Sequence, residues 1–361
     1  MNGTALKRSQ MEFEMPGIGP GDAREENWEV LTPRNEKLEV LNYLSGDHRE
    51  EMVKDIRRGM MKTQKSIPAK YFYDARGSQL FDQICATPEY YLTEIELSIL
   101  DQSAAEIMQF FSRAGGDLIE LGCGSNRKVR KLLDAVDPLE HGRIRYVPVD
   151  ISRSCLLGST RDLQDDYANL AILGVLADFT QHVRMLPRSR KLIAFFGSTI
   201  GNLTEMEAVH LLKDIRAIMS CDDCFLLGMD MLKPVEILEA AYNDRQGVTC
   251  DFNRNILVHI DRELKADFDP NDFDHVAFFN AGMECVEMHL KASRQVTAHI
   301  AELALSVEMR EGETIHTEIC KKFSRDSAER LFRKAGLSVS RWFTDSKDWF
   351  SLVELRVNGT E

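Results

Sequence analysis

The chain has 361 residues, 43% hydrophobic and 29% charged, the proportions of a globular protein with one large domain or two. Lys and Arg number 45 against 58 Asp and Glu, a formal charge of −13. That balance excludes a nucleic-acid backbone or an anionic membrane as the expected main partner, since both are bound through basic surface.

No apolar run approaches the length that spans a bilayer, and the opening MNGTALKRSQ lacks the apolar core of a secretory signal. The eight cysteines are Cys85, Cys123, Cys155, Cys221, Cys224, Cys250, Cys285 and Cys320. Their dispersal reads as reduced thiols in a cytoplasmic protein. Cys221 and Cys224 have C-x-x-C spacing, but no second pair follows to complete a zinc set. No metal is assigned.

Residues 1–35 are polar, carry the Gly/Pro-rich MPGIGPGD, and read as an N-terminal arm. Residues 36–110 are mostly helical in pattern. In EIELSILDQSAAEIMQFF (94–111), Leu100, Ala104, Ile107, Met108 and Phe111 share one helix face. Short apolar runs then alternate with amphipathic stretches. The predicted strands are 117–121, 145–149, 171–175, 192–196 and 225–229, with clear helices over 125–137 and 205–219. Such alternation predicts an α/β fold with a doubly wound parallel sheet.

After residue 240 the alternation breaks. NRNILVHIDREL (253–264) reads as a helix; CVEMHLKAS, RQVTAHIAELALSV and TIHTEICKKFS read as strands of period two. DSAERLFRKAG then predicts a helix capped near Ser324 or Asp326 and stopped by Gly336, followed by two closing strands. The expected organisation is a sheet domain of 95–231 with 323–361, interrupted by a second, mixed α+β domain of 36–94 with 232–322.

Four features carry chemistry. LIELGCGSNRK (118–128) is a strand running into Gly122-x-Gly124 and a helix. Glycines let the backbone turn sharply and approach a ligand. A dinucleotide fingerprint would place a third glycine at position 127, which is Arg127. That disfavours a nicotinamide oxidoreductase. The acid just before the glycines suits a ligand with a cationic end, although a plain strand-to-helix turn looks the same. Asp150 ends the next strand, where a carboxylate either accepts ribose hydroxyls or caps a helix. Asp178 and Phe179 end the next, where an acid and an aromatic suit adenine or a simple loop. FFGSTIGNLT (195–204) ends a buried strand in Gly197, Gly201 and Asn202, placing an amide over a ligand or forming a demanding turn.

With KYFYDARGSQLFDQICATPEYYLT, AYNDRQGVTCDFNRN, VEMHL and HTEICKKF in the same order, the chain from about residue 60 onward closely resembles the histidine-specific methyltransferases of ergothioneine biosynthesis. The resemblance implies a Rossmann-like class I methyltransferase sheet and a separate substrate domain. It implies S-adenosylmethionine as cofactor, S-adenosylhomocysteine as product, and methyl transfer to the α-amine of histidine, ending at the trimethylated betaine, hercynine. By position, the cofactor contacts are Tyr73, Gly122, Lys128, Asp150, Asp178 and Phe179. The substrate contacts are Tyr90, Asn202, Tyr242, Met288, Glu318 and Cys320. Asn202 and Tyr242 would hold the substrate carboxylate, and Glu318 would accept from the imidazole. Cys320 stands where the family has serine, and a thiol is a weaker donor and acceptor than a hydroxyl.

No dedicated catalytic base is implied. In-line displacement needs the amine neutral and aligned, and desolvation beside a sulfonium lowers an ammonium pKa. Another aromatic amino acid such as tryptophan is the alternative substrate, and a non-catalytic module keeping the cofactor fold is the alternative class. The partner expected is a small-molecule amino-acid substrate, with no nucleic acid or membrane, and the protein is expected to be a monomer.

Overall fold

The computed structural model describes residues 28–31, 38–44 and 48–357. In chain order, β1 (Trp28–Leu31) and β2 (Leu38–Asn42) precede α1 (His48–Met60), β3 (Lys65–Ser66), α2 (Ala75–Ile84) and α3 (Tyr91–Ala114). Four strand–helix steps and a fifth strand follow: β4 (Gly116–Leu121), α4 (Arg127–Asp134), β5 (Ile144–Asp150), α5 (Arg153–Asp166), β6 (Ala171–Leu176), α6 (Phe179–His182), β7 (Lys191–Phe195), α7 (Glu205–Ile218) and β8 (Cys224–Asp230). Next come α8 (Val235–Ala240), α9 (Val248–Leu264), β9 (Phe273–Asn280), β10 (Cys285–Ala292), β11 (Val296–Ile300), β12 (Leu305–Met309) and β13 (Thr314–Lys321). The chain closes with α10 (Arg325–Ala335), β14 (Leu337–Thr344) and β15 (Phe350–Val357).

The main sheet has nine strands in the order β1-β2-β6-β5-β4-β7-β8-β15-β14. From β2 to β8 all neighbours are parallel, and β15 runs antiparallel between β8 and β14. The order reverses direction at β4, so the crevice at the carboxyl ends of β4 and β7 is the ligand position of a doubly wound sheet. This is the class I methyltransferase arrangement, with a reversed strand slotted in before the last.

The strands alternate their apolar side chains between two helical layers. Leu118, Leu192 and Leu226 face one core with Leu100, Ile107 and Leu132, while Ile119, Ile193 and Leu227 face another with Leu211, Ile215 and Phe332. Buried on both faces, these strands read as continuous apolar runs. Helix starts follow their caps. Thr204 and Glu207 form a reciprocal capping box on α7, Asp74 caps α2, and Ser324 caps α10, which ends at Gly336 with φ +74°.

The second sheet has the order β3-β13-β10-β9, and β11 pairs with β12 as a separate hairpin. Its inner face shares the first core, through Met288, Leu290, Ile315, Phe252 and Ile256. The chain leaves the main sheet after Asp230 and returns at Phe323. There Phe323 N donates to Asp230 O (2.9 Å) and Leu232 N donates to Phe323 O (2.8 Å), which closes the neck of the insertion.

One expected boundary is corrected. Residues 28–31, expected in the polar arm, and 38–42, expected in the substrate domain, are strands of the main sheet: β2 lies parallel to β6, and β1 pairs with β2. The polar flanks of LEVLN hide a strand whose Val40 and Leu41 are buried. The rest of the expected 1–35 arm lies outside the described residues.

Candidate active site

A cavity of about 1270 Å³ opens over the carboxyl ends of β4, β5, β6 and β7. Nine of the expected residues line it: Tyr73, Tyr90, Gly122, Lys128, Asp150, Asp178, Phe179, Asn202 and Glu318. A small adjoining chamber is lined by Tyr242, Met288 and Cys320, and it shares Tyr73, Tyr90, Asn202 and Glu318 with the large one. All twelve expected residues therefore surround one continuous space.

On the sheet side, local backbone builds the site. Gly122 turns with φ +69° directly after β4, and Gly124 follows at φ +41°. The Asp150 carboxylate accepts from Ser152 N (2.8 Å) and weakly from Gly124 N (3.4 Å), and burial pushes its pKa up. Ser152, not Asp150, caps α5, which removes the capping alternative for Asp150. Asp178 does cap α6, accepting from Thr180 N (2.9 Å), while Phe179 packs edge-on against Phe195. Glu120 is 2% exposed, accepts from Tyr146 Oη (2.5 Å), and is pushed by burial up to about 8.

Lys128 does not stand alone. Its ammonium pairs at 2.6 Å with Glu96, which is fully buried and also accepts from Gly197 N (2.9 Å). Glu96 went unnoticed in the sequence, yet it lies four residues before Leu100 on the apolar face of α3. An acid on an apolar helix face is the signal that would have found it. Lys70 was missed too. It pairs with Glu51, Asp55 (3.1 Å) and Asp178 (3.7 Å), tying α1 and the turn before Tyr73 to the end of β6.

The substrate side is assembled across strands. Glu318 on β13 accepts from Asn202 Nδ2 (3.0 Å), joining the loop after β7 to the second sheet, and burial raises Glu318 to about 7. The bond runs between the two residues expected at opposite ends of a bound amino acid. The loop comes this close because of Gly201, where a Cβ would lie 2.8 Å from Lys321 O. Tyr73, Phe81, Tyr90, Tyr242 and Phe252 form aromatic walls, with Tyr90 edge-on to Tyr242 (6.4 Å) and to Phe81 (6.1 Å). Phe81 and Phe252 were not foreseen, because two phenylalanines in helical patterns look like core.

Lys322, immediately after β13, is fully buried and donates to Asp230 (2.7 Å), Tyr242 Oη (2.9 Å) and Cys320 Sγ (3.2 Å). In the same sheet, Glu287, His289 and His316 gather within 4.8 Å, and His316 also lines the large cavity. They are held by hydrogen bonds: His289 Nε2 to Glu287 (3.0 Å) and His316 Nε2 to Glu318 O (3.0 Å). The gathering crosses strands, so no spacing in the sequence revealed it. Cys221 is exposed, Cys224 is buried, and both are free thiols.

The model of the histidine-specific, S-adenosylmethionine-dependent methyltransferase family matches residues 52–357. The chain belongs to this family. It is 40% identical over 318 residues to the histidine N-alpha-methyltransferase of Mycolicibacterium smegmatis, covering 87% of this chain and 98% of that one. It is equally identical over 320 residues to the Mycobacterium tuberculosis histidine N-alpha-methyltransferase, covering 88% and 98%. Among solved structures, a Clostridium acetobutylicum S-adenosylmethionine-dependent methyltransferase overlaps 73% of this chain and 92% of its own, at 10% identity and a TM-score of 0.42.

This methyltransferase uses S-adenosylmethionine, and its residues fit that cofactor. Acids stand at three successive strand ends, and Glu120, buried at the first of them, would meet a cationic amino group as its counter-charge. The left-handed turn at Gly122 leaves a bare backbone facing the Phe179 ring, 3.8 Å from where a Cβ would stand. Among the described residues no helix is long and apolar enough to cross a membrane.

Proposed function

We propose that this enzyme methylates the α-amine of L-histidine and carries the reaction to the trimethylated betaine. The observation that carries the reading is the shared wall of Tyr90, Asn202 and Glu318, which opens the substrate chamber onto the cofactor cavity. The 40% identity to two histidine N-alpha-methyltransferases supports the same substrate.

Bound S-adenosylmethionine supplies an electrophilic methyl on a sulfonium. The chain's own task is positioning. Tyr242 and Asn202 hold the substrate carboxylate, and releasing Asn202 to it frees Glu318 to accept from the imidazole. Fixing both ends leaves the amine between them free to rotate for repeated transfer. The chamber is walled by aromatic side chains, which favours the neutral amine that carries a lone pair. As methyls accumulate and the nitrogen becomes a permanent cation, the faces of Tyr73, Tyr90 and Phe252 stabilise it. On the sheet side, Asp150 takes the ribose hydroxyls, Asp178 and Phe179 the adenine, and Gly122, Tyr73 and Lys128 the remaining contacts. We place the enzyme in the cytosol as a monomer acting on a free amino acid, a reading supported by the charge of −13 and the dispersed free thiols.

Mass spectrometry of reactions with S-adenosylmethionine and each of the twenty amino acids tests the substrate. A product three methyls heavier than histidine, with fragments placing them on the α-nitrogen, is expected. Methylation of tryptophan with histidine inert would overturn the substrate and keep the reaction.

A further inference from the structure

The neck where the second domain leaves and rejoins the sheet contains three charged side chains with no solvent exposure. Asp230 ends β8, Lys233 follows it, and Lys322 follows β13. Asp230 accepts from Tyr91 Oη (2.8 Å), from Lys233 and from Lys322 (2.7 Å). One carboxylate thus takes contacts from two ammoniums, and Lys322 is the one that touches the lining of the substrate chamber, through Tyr242 and Cys320.

An ammonium has three N–H donors and no acceptor. Those of Lys322 meet three acceptors: Asp230, the Tyr242 oxygen (2.9 Å) and the Cys320 sulfur (3.2 Å). This assignment dictates the polarity of its neighbours. With its oxygen receiving a proton from Lys322, Tyr242 has its own proton to give. An anionic group entering the chamber is a strong acceptor for it. Low dielectric around the buried charge strengthens the effect.

We infer that Lys322 is a positioning residue that makes the Tyr242 phenol an obligate donor and so favours amines that carry a free carboxylate. The inference rests on the proposed placement of the substrate carboxylate at Tyr242. Lys322 also pins the neck of the insertion, and a purely structural role would weaken every substrate alike.

The test uses the S-adenosylhomocysteine-loaded and S-adenosylmethionine-loaded full chain. Lys322→Met, Tyr242→Phe and the double variant are compared on histidine and on histamine, the same amine without its carboxylate. Lys322→Met is expected to raise the histidine KM at least tenfold with a smaller change in kcat. Histamine kinetics and S-adenosylhomocysteine affinity should stay within twofold. Because Lys322 acts through Tyr242, the double variant should be no worse than the worse single variant. Equal losses on histidine and histamine, or single effects that multiply in the double variant, would overturn the inference. Lys233 and Tyr91 still pair with Asp230 in Lys322→Met, so no charge is left uncompensated. Should that variant not fold, Lys322→Arg carries the same test: its planar fork keeps Asp230 but cannot meet phenol and thiol from one nitrogen. If the wild-type enzyme leaves histidine inert, the proposed substrate fails, and the series is run on the amino acid it does methylate and the matching decarboxylated amine.

Discussion

Around the cofactor, Asp150 and Asp178 each lie within a few residues of a group that orients them. Asp150 takes its bond from Ser152, and Asp178 from Thr180. Around the substrate, Tyr242, Met288, Glu318 and Cys320 come from three segments spread over residues 242–320, and their partners are elsewhere again: Asn202 for Glu318, Asp230 for Lys322. The first half is built from strand-end turns, where local sequence dictates geometry. The second is built from side chains meeting across strands, where tertiary packing dictates it. A local site tolerates change in distant residues, whereas a cross-strand site transmits it.

Lys128 and Glu96 are the exception on the cofactor side, a long-range ion pair inside a locally built half. Glu96→Ala leaves the half-buried Lys128 ammonium without its partner and removes the acceptor for Gly197 N. Denaturant unfolding should show a loss of about 3–5 kcal/mol, with weakened S-adenosylhomocysteine binding. A loss under about 1 kcal/mol would mean that backbone alone holds this half.

Glu318→Ala is next in size. Calorimetry should show histidine affinity falling by about 1–3 kcal/mol and S-adenosylhomocysteine affinity barely moving. Equal losses of both ligands would erase the division between the halves.

Acid titration separates the halves by pH. Buried Glu318 sits near 7 and Glu120 near 8, both above the ordinary value of 4.5. The folded protein therefore holds protons that the unfolded chain gives up. The stability this contributes is complete below about pH 4.5 and is lost as pH rises through 7 and then 8. The thermal midpoint of the ligand-free enzyme should fall across that window. Glu318→Gln should shallow the fall below about pH 7, and Glu120→Gln should shallow it there and also remove the part between about 7 and 8. A flat profile in the wild type would contradict both assignments. In the same range histidine should bind more tightly as pH rises through about 7, because only ionised Glu318 accepts without competition from its own proton.

The smallest effect is expected at Cys320. Cys320→Ser keeps an acceptor for Lys322 and offers a better donor, so turnover on histidine should hold or rise, by no more than about 1 kcal/mol in transition-state stabilisation. A strong loss would mean that the chamber is shaped around the thiol and a different side chain.

The same division explains what the sequence made legible. The parallel strands, their helices and the glycine-and-acid strand ends stood out because burial on both faces and left-handed turns leave local marks. Leu38–Asn42 did not, since five residues with polar flanks carry too little pattern to show a strand. The roles expected of Tyr242, Met288 and Glu318 came from family resemblance, because a strand pattern gives no reason to place Glu318 in a pocket. Glu96 was legible in principle as an acid on an apolar face. Lys322 was not: one lysine in ICKKF looks like any other until the neck brings Asp230 to it.

At Gly201, backbone passes backbone with no room for a methyl group, 2.8 Å from Lys321 O. The loop bearing Asn202 and the strand bearing Glu318 are thereby riveted together at fixed spacing. Substrate range can be retuned only on either side of the rivet, by changing the volume and polarity of Met288, Cys320 and the aromatic walls. The distance between the two polar clamps is a ruler set by the main chain. Longer amino acids are measured against it before any side chain has a say.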